Sequence, residues 1–209
     1  TSTDFRDFEM TAGTRTLSGA ITIENDATIT GGTLDASGNN ITINGNWSNS
    51  GTFIHGNNTV FFNNETITSV ITGDTTFFNF TCNTPGKTIR FGANDVQTIQ
   101  GSFTIQGTPG NLITLESTTA STWWMIDNDG DSEDVDFAAV QDSNNIDGVG
   151  IITADDSIDN TNNVNWTINV TEKTWTGGTA SFETSWNTAT NWNPAGVPGG
   201  ANSIIIPSG

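Results

Sequence analysis

An all-β chain wound as a parallel β-helix, or β-solenoid, is the fold this sequence predicts, and three observations carry it. Short runs of alternating apolar and polar residues, bounded by Gly, Asn or Asp, fill almost the whole chain. No window places apolar residues at helical spacing over three turns. Most of the runs are only about three to six residues long, which suits the rungs of a β-helix better than the longer hairpins of a sandwich. Residues 5–17 also recur, without a gap, at 77–89: Phe5 matches Phe77, Phe8 matches Phe80, Met10 matches Cys82, Arg15 matches Lys87 and Leu17 matches Ile89. A repeated apolar skeleton with exchanged decoration is typical of stacked units, because each buries its apolar face only against a neighbour.

Taken in order, the alternation places the first strands at 15–17, 20–23 and 27–30, punctuated by Gly19 and by Asn25-Asp26. Strands at 40–43, 51–54 and 59–62 follow the turn residues Gly38-Asn39, Asn49-Ser50 and Gly56-Asn57. Longer runs at 66–71 and 77–82 come next, then 88–91 after Pro85-Gly86, 97–99 after Asn94-Asp95 and 102–106 after Gly101. The remaining strands are expected at 112–116, 122–126, 135–140, 150–154 and 164–168. Alternation along 77–82 points Phe78, Phe80 and Cys82 one way and Phe77, Asn79 and Thr81 the other. The echo is read as corresponding rungs of one continuous helix, with Phe8, Phe80, Met10 and Cys82 facing inward. Neighbouring rungs repeat their inward residues, and Asn and Thr ladder at the corners.

The 209 residues suffice for one continuous core. Twenty-three acidic residues against five basic ones give a net charge of −18, which argues against nucleic acid or anionic lipid as partner, since both need Lys and Arg to neutralise phosphate. Disorder is excluded by 12 Phe, seven Trp and abundant β-branched residues. A single cysteine, Cys82, rules out an internal disulfide or a CxxC pair and reads as a small buried hydrophobe. No run of about 18 apolar residues is present, so no membrane insertion is expected. The chain opens on Thr1 with no signal peptide and is expected to be a processed or excised piece of something longer.

Composition shifts at residues 171–173, dividing the chain into a β-helix at 1–171 and a Trp/Pro/Gly-rich segment at 172–209 that caps it or joins it to a following unit. The pattern TWTGG…SW…NWNPAGVPG…IIIPSG in that segment resembles the opening of repeat units in large secreted bacterial β-helix proteins, including those with autotransporter-type repeats. GNWSNSGTFI at 45–54 and VDFAAVQDSNN…NNVNW at 135–166 are similar to the body and closing rungs of such units. The resemblance implies a right-handed helix, an extracellular or cell-surface location and unit following unit. The closing rungs precede the opening motif here, so the chain reads as cut out of register. Trp175, Trp186 and Trp192 are expected to pack on one another as the nucleus of the terminal segment. With the apolar run Ile204, Ile205 and Ile206 they form the candidate assembly surface.

The densest polar cluster is Asp127-Asn-Asp-Gly-Asp-Ser-Glu-Asp134. Hard cations such as Ca²⁺ take several oxygens, and acids at alternate positions of a tight loop supply them from one segment. Asp127, Asp129, Asp131 and Asp134 are therefore the candidate metal ligands, with Ca²⁺ as the candidate ion. The EF-hand pattern fails, because Gly130 stands at loop position four instead of six and Ala138 where the twelfth-position Glu belongs. A solvated acidic corner is the alternative reading. Asp155, Asp156 and Asp159 read as turn residues or a second cation site.

No catalytic residues are assigned and no enzyme is expected. Arg6, Arg15, Lys87 and Arg90 lie far in sequence from the acids, and Lys173 lies beyond them. Lone His55 has neither a second His nor a Ser-His-Asp context. The expected function is a structural module of an extracellular bacterial filament or surface adhesin, its partners being copies of itself joined head to tail by β-helix stacking or strand addition. Two alternatives stand beside it: a carbohydrate-binding or carbohydrate-cleaving β-helix meeting surface glycans through exposed Trp, and a passive spacer repeat in a giant surface protein.

Overall fold

The computed structural model describes residues 3–130, 132–170, 172–177, 185–193, 197–198 and 202–206, and most of them form a three-faced parallel β-helix. Tripeptides such as Ile21-Thr22-Ile23 and Ile41-Thr42-Ile43 explain the winding: two Ile point in, one Thr points out, and the chain turns before the run grows longer.

One face holds nine strands in parallel order: Thr3–Phe5, Ile21–Ile23, Ile41–Ile43, Thr59–Phe62, Asn79–Cys82, Phe103–Gln106, Glu133–Asp136, Ile152–Asp155 and Trp166–Ile168. The second face holds eight, namely Phe8–Met10, Ala27–Ile29, Trp47–Asn49, Ser69–Thr72, Thr88–Phe91, Ile113–Ser117, Ala138–Val140 and Ile158–Asp159. The third face is divided into two sheets. Thr14–Thr16, Thr33–Asp35 and Thr52–Ile54 form one, while Thr75–Phe77, Val96–Ile99, Trp124–Asp127 and Ser143–Asn145 form the other.

Pairing of Ile21 with Ile41 and of Val60 with Phe80 sets a common turn of 20 positions. The turn stretches to 30 between Phe103 and Glu133 and shrinks to 14 between Ile152 and Trp166. Corners are held by rung-to-rung side-chain bonds. The Asn46 amide and backbone both donate to Asp26 Oδ1 of the rung before, at 2.9 and 3.0 Å, and the Ser102 backbone donates to Asn79 Oδ1 at 2.9 Å. Gly73, at a φ of 82°, occupies a corner where any Cβ would collide with the carbonyl of Asn49 on the preceding rung.

The echo of 5–17 in 77–89 joins different faces. Phe5 lies on the first face and Phe77 on the third, while Phe8 lies on the second and Phe80 on the first. The true register column of Phe80 is Ile21, Ile41, Val60 and Phe103. Every strand, corner and strand of a triangular coil needs the same apolar alternation, so segments from different faces look alike. Inward placement nevertheless holds: Met10, Phe80 and Cys82 are buried and Phe8 is half-buried. Arg15 is exposed, whereas its echo Lys87 is fully buried. The alternation expected along 77–82 is broken at one residue. A corner at Phe78 reverses the phase, so Phe77 is buried and Phe78 half-exposed beside the His55 ring, 5.7 Å away.

Candidate functional site

The acidic segment straddles a corner, and this separates its carboxylates. Asp127 ends a third-face strand, whereas Asp134 lies in the next first-face strand, pointing outward opposite Thr104. Burial, and then the carboxylates of Asp129 and Asp147, push Asp127 above its ordinary pKa. Asp134 instead accepts 2.7 Å from the Gln106 amide. It also belongs to a second group around Asp136, whose carboxyl is raised by burial first and then by Asp156, Asp155 and Asp134. Asp131 lies outside the described residues. Among the described residues no three His, Cys, Asp or Glu side chains are placed to hold a metal ion.

Asp155 ties its rung to the next, and Asp159 serves a turn. Asp155 Oδ1 accepts from the Asn169 amide at 2.9 Å, and Asp159 Oδ1 from the Thr161 backbone at 2.8 Å and the Asn163 amide at 2.6 Å. Asp156, at a φ of 47°, accepts 3.3 Å from Asn202 of the terminal segment.

The terminal segment forms a small sheet of its own. Glu172–Trp175 is its central strand, with Trp192–Asn193 antiparallel on one side and Ser203–Ile205 parallel on the other. Trp175 stacks on Trp186 at 5.4 Å and meets Trp192 edge-on at 5.0 Å, while the Trp192 indole donates to the Trp186 carbonyl at 2.9 Å. Ile204, Ile205 and Ile206 stay exposed, Ile206 by 56 %. The two expected assembly groups thus share one sheet, the Trp residues as its packing nucleus and Ser203–Ile205 as an edge strand.

At the other end the first rung opens its interior. Phe5 is 37 % exposed and meets Phe8 edge-on at 6.2 Å. Two hollows lie against this rung, one of about 390 Å³ bounded by Phe5, Phe8, Met10 and Leu17, the other of about 420 Å³ bounded by Phe5, Leu17 and Ile21.

Of the remaining tryptophans, Trp47 and Trp124 are buried in the core and Trp166 packs against it, but Trp123 is exposed. Lys87 Nζ donates to the carbonyls of Asn64 and Ile67 at 3.0 and 2.9 Å, and burial pulls its pKa down. The same burial pushes the Cys82 thiol up to about 11, which leaves it a poor nucleophile. Arg90 Nε meets Glu116 Oε1 at 2.6 Å across neighbouring strands of the second face. The sequence singled out neither Glu116 nor Gln141 beside it. No protein-family model, curated protein or solved structure matches the chain.

Proposed function

We propose that this chain is a structural module of an extracellular filament or long surface adhesin, joined end to end with further β-solenoid rungs. The observation that carries the reading is the open first rung. Phe5, Phe8 and Leu17 line hollows at one end of the coil, and the strands Thr3–Phe5, Phe8–Met10 and Thr14–Thr16 each stand first in their sheet among the described residues. A further parallel rung would fill the hollows and continue the three sheets. At the opposite end, the parallel pairing of Glu172–Trp175 with Ser203–Ile205 repeats the strand sense of the coil and presents an apolar edge. Contact between two unlike ends is heterologous and need not close, and an open series of such contacts is a fibre. The extracellular location rests on the family resemblance.

Electron microscopy and size-exclusion chromatography of the 209-residue chain test the reading. Elongated particles of several subunits are expected, and removal of residues 174–209 is expected to leave the β-sheet circular dichroism in place while returning the particles to single-subunit length. Particle lengths unchanged by the deletion overturn the role of the terminal sheet. A strict monomer at about 100 μM favours a spacer within one long polypeptide.

A further inference from the structure

The longest turn of the coil builds a groove on the second face. Between Ile113–Ser117 and Trp124–Asp127 the chain makes an excursion through residues 118–123, and beside it lies a hollow of about 260 Å³ bounded by Arg90, Glu116, Thr118, Ala120, Gln141 and Asp142. Arg90 and Glu116 are register partners, and Gln141 follows Val140, which pairs with Leu115. The three side chains therefore occupy successive places in one outward column, about 4.8 Å apart.

Their hydrogen-bonding capacity is largely free. Glu116 engages Arg90 only through Nε, and among the described residues neither the terminal guanidinium nitrogens nor the Gln141 carboxamide has a protein partner. The wall beside them is tied down. Asp142, 3 % exposed, accepts from the Ser121 backbone at 3.0 Å and from the Asn162 amide at 2.7 Å. Asn162 in turn accepts the Trp123 indole N–H at 3.0 Å, on both its carbonyl and its side-chain oxygen. Trp123, 42 % exposed, is thus held in place on the same excursion, outside the residues that bound the hollow. Long insertions on one side of a repetitive coil are where such folds carry binding sites.

The electrostatics select the ligand. Glu116 neutralises Arg90, Asp142 adds a negative charge and the chain as a whole carries −18, so an anion is repelled. The free guanidinium edge disfavours a cation. Planar groups that donate and accept in pairs match adjacent hydroxyls. We propose that this groove binds a neutral glycan, with Arg90, Glu116 and Gln141 hydrogen-bonding the hydroxyls of one or two pyranose units. The inference is independent of end-to-end stacking.

The test is protein-observed NMR on the whole chain, following the Arg90 Nε–H and the Gln141 amide. The probes are cellohexaose, maltohexaose and chitohexaose, with oligogalacturonate as the anionic contrast. At least one neutral hexasaccharide is expected to shift both signals with a Kd of about 10 mM or tighter. Arg90→Gln is expected to weaken binding about tenfold. Ala120→Phe, which fills the groove from an exposed position and removes no hydrogen bond, is expected to abolish it at an unchanged melting temperature. The proposal is overturned if none of the neutral probes shifts these signals, if oligogalacturonate binds more tightly, or if Ala120→Phe leaves binding intact.

Discussion

The rungs between Ile41 and Ile99 and those between Glu133 and Ile168 share one winding but fill it in opposite ways. In the first stretch the interior is aromatic. Trp47 lies 5.1 Å from Phe53 and 5.6 Å from Phe77, Phe62 stacks on Phe80 at 4.8 Å, and Phe77 meets Phe80 edge-on at 5.5 Å. In the second stretch, apart from Trp166, which meets Trp124 edge-on at 6.5 Å, small and polar side chains take over. Ala138, Val140 and Ala154 are buried beside Ser143, Asn145 and Ser157. Ser157 donates to the Asp155 carbonyl at 2.7 Å and receives the Ala138 N–H at 2.9 Å. Turns in the second stretch take 19 positions between Val135 and Ala154 and only 14 between Ile152 and Trp166, against 20 between Val60 and Phe80. A wide cross-section needs rings to reach native packing density, whereas a narrow one closes on small residues and hydrogen bonds.

The most direct way to break this contrast is to empty each interior in turn. Phe80→Ala is expected to cost about 3–5 kcal/mol in urea unfolding, because four neighbouring rings, Phe62, Phe77, Phe91 and Phe103, lose their partner. Val140→Ala in the narrow stretch is expected to cost less than half of that, about 1–2 kcal/mol, since it removes two methyl groups. Equal losses at the two positions would mean that the narrow rungs are packed as demandingly as the aromatic ones.

Lys87 sharpens the comparison inside the aromatic stretch. It is fully buried, and its ammonium donates to two backbone carbonyls of the preceding rung, so it fastens the 63–68 loop. Lys87→Met keeps most of the stem's packing and relieves the desolvation of an ammonium, but it leaves the carbonyls of Asn64 and Ile67 without their donor. A net loss of about 1–2 kcal/mol is expected, together with faster amide hydrogen exchange confined to residues 63–68. An unchanged exchange pattern would show that the loop is held by its own turn.

These contrasts also mark what the sequence made legible. The parallel coil was readable because Ile21-Thr22-Ile23 and its kin repeat an inward, outward, inward pattern that few other folds sustain at such short length. Corners were less readable. Phe78 and Phe137 each turn the chain with neither Gly nor Pro, Phe137 at a φ of 52°, so the expected strands 77–82 and 135–140 are each two strands on different faces. Strands with polar inward residues were invisible to an apolar pattern, as at Trp47–Asn49 and Ser143–Asn145, where Asn49 and Asn145 are buried. The Arg90, Glu116 and Gln141 column had no sequence signal at all. Its members are 26 and 25 positions apart in a coil whose turns run from 14 to 30, so only the register brings them together.

The smallest expected effect concerns the acids of the narrow stretch. Asp136 has one buried oxygen, Oδ1, without a partner among the described residues, and burial together with Asp156, Asp155 and Asp134 raises its pKa from 3.8. A carboxyl whose folded pKa lies above its unfolded one favours the folded state when protonated. Its stabilising contribution is therefore complete below about pH 3.8 and is lost as the pH rises through the raised folded value. Asp127 follows the same sign. Both groups accordingly oppose folding at pH 7. Asp136→Asn is expected to raise the melting temperature at pH 7, and the gain is expected to shrink as the pH falls towards 4, where the wild-type carboxyl takes up its proton. Phe80→Ala, which touches no ionisable group, is expected to lower the melt by a similar amount at both pH values. A lower melting temperature for Asp136→Asn at pH 7 would mean that the charged carboxylate is engaged favourably, and the acidic rungs would then be held together by their charge instead of in spite of it.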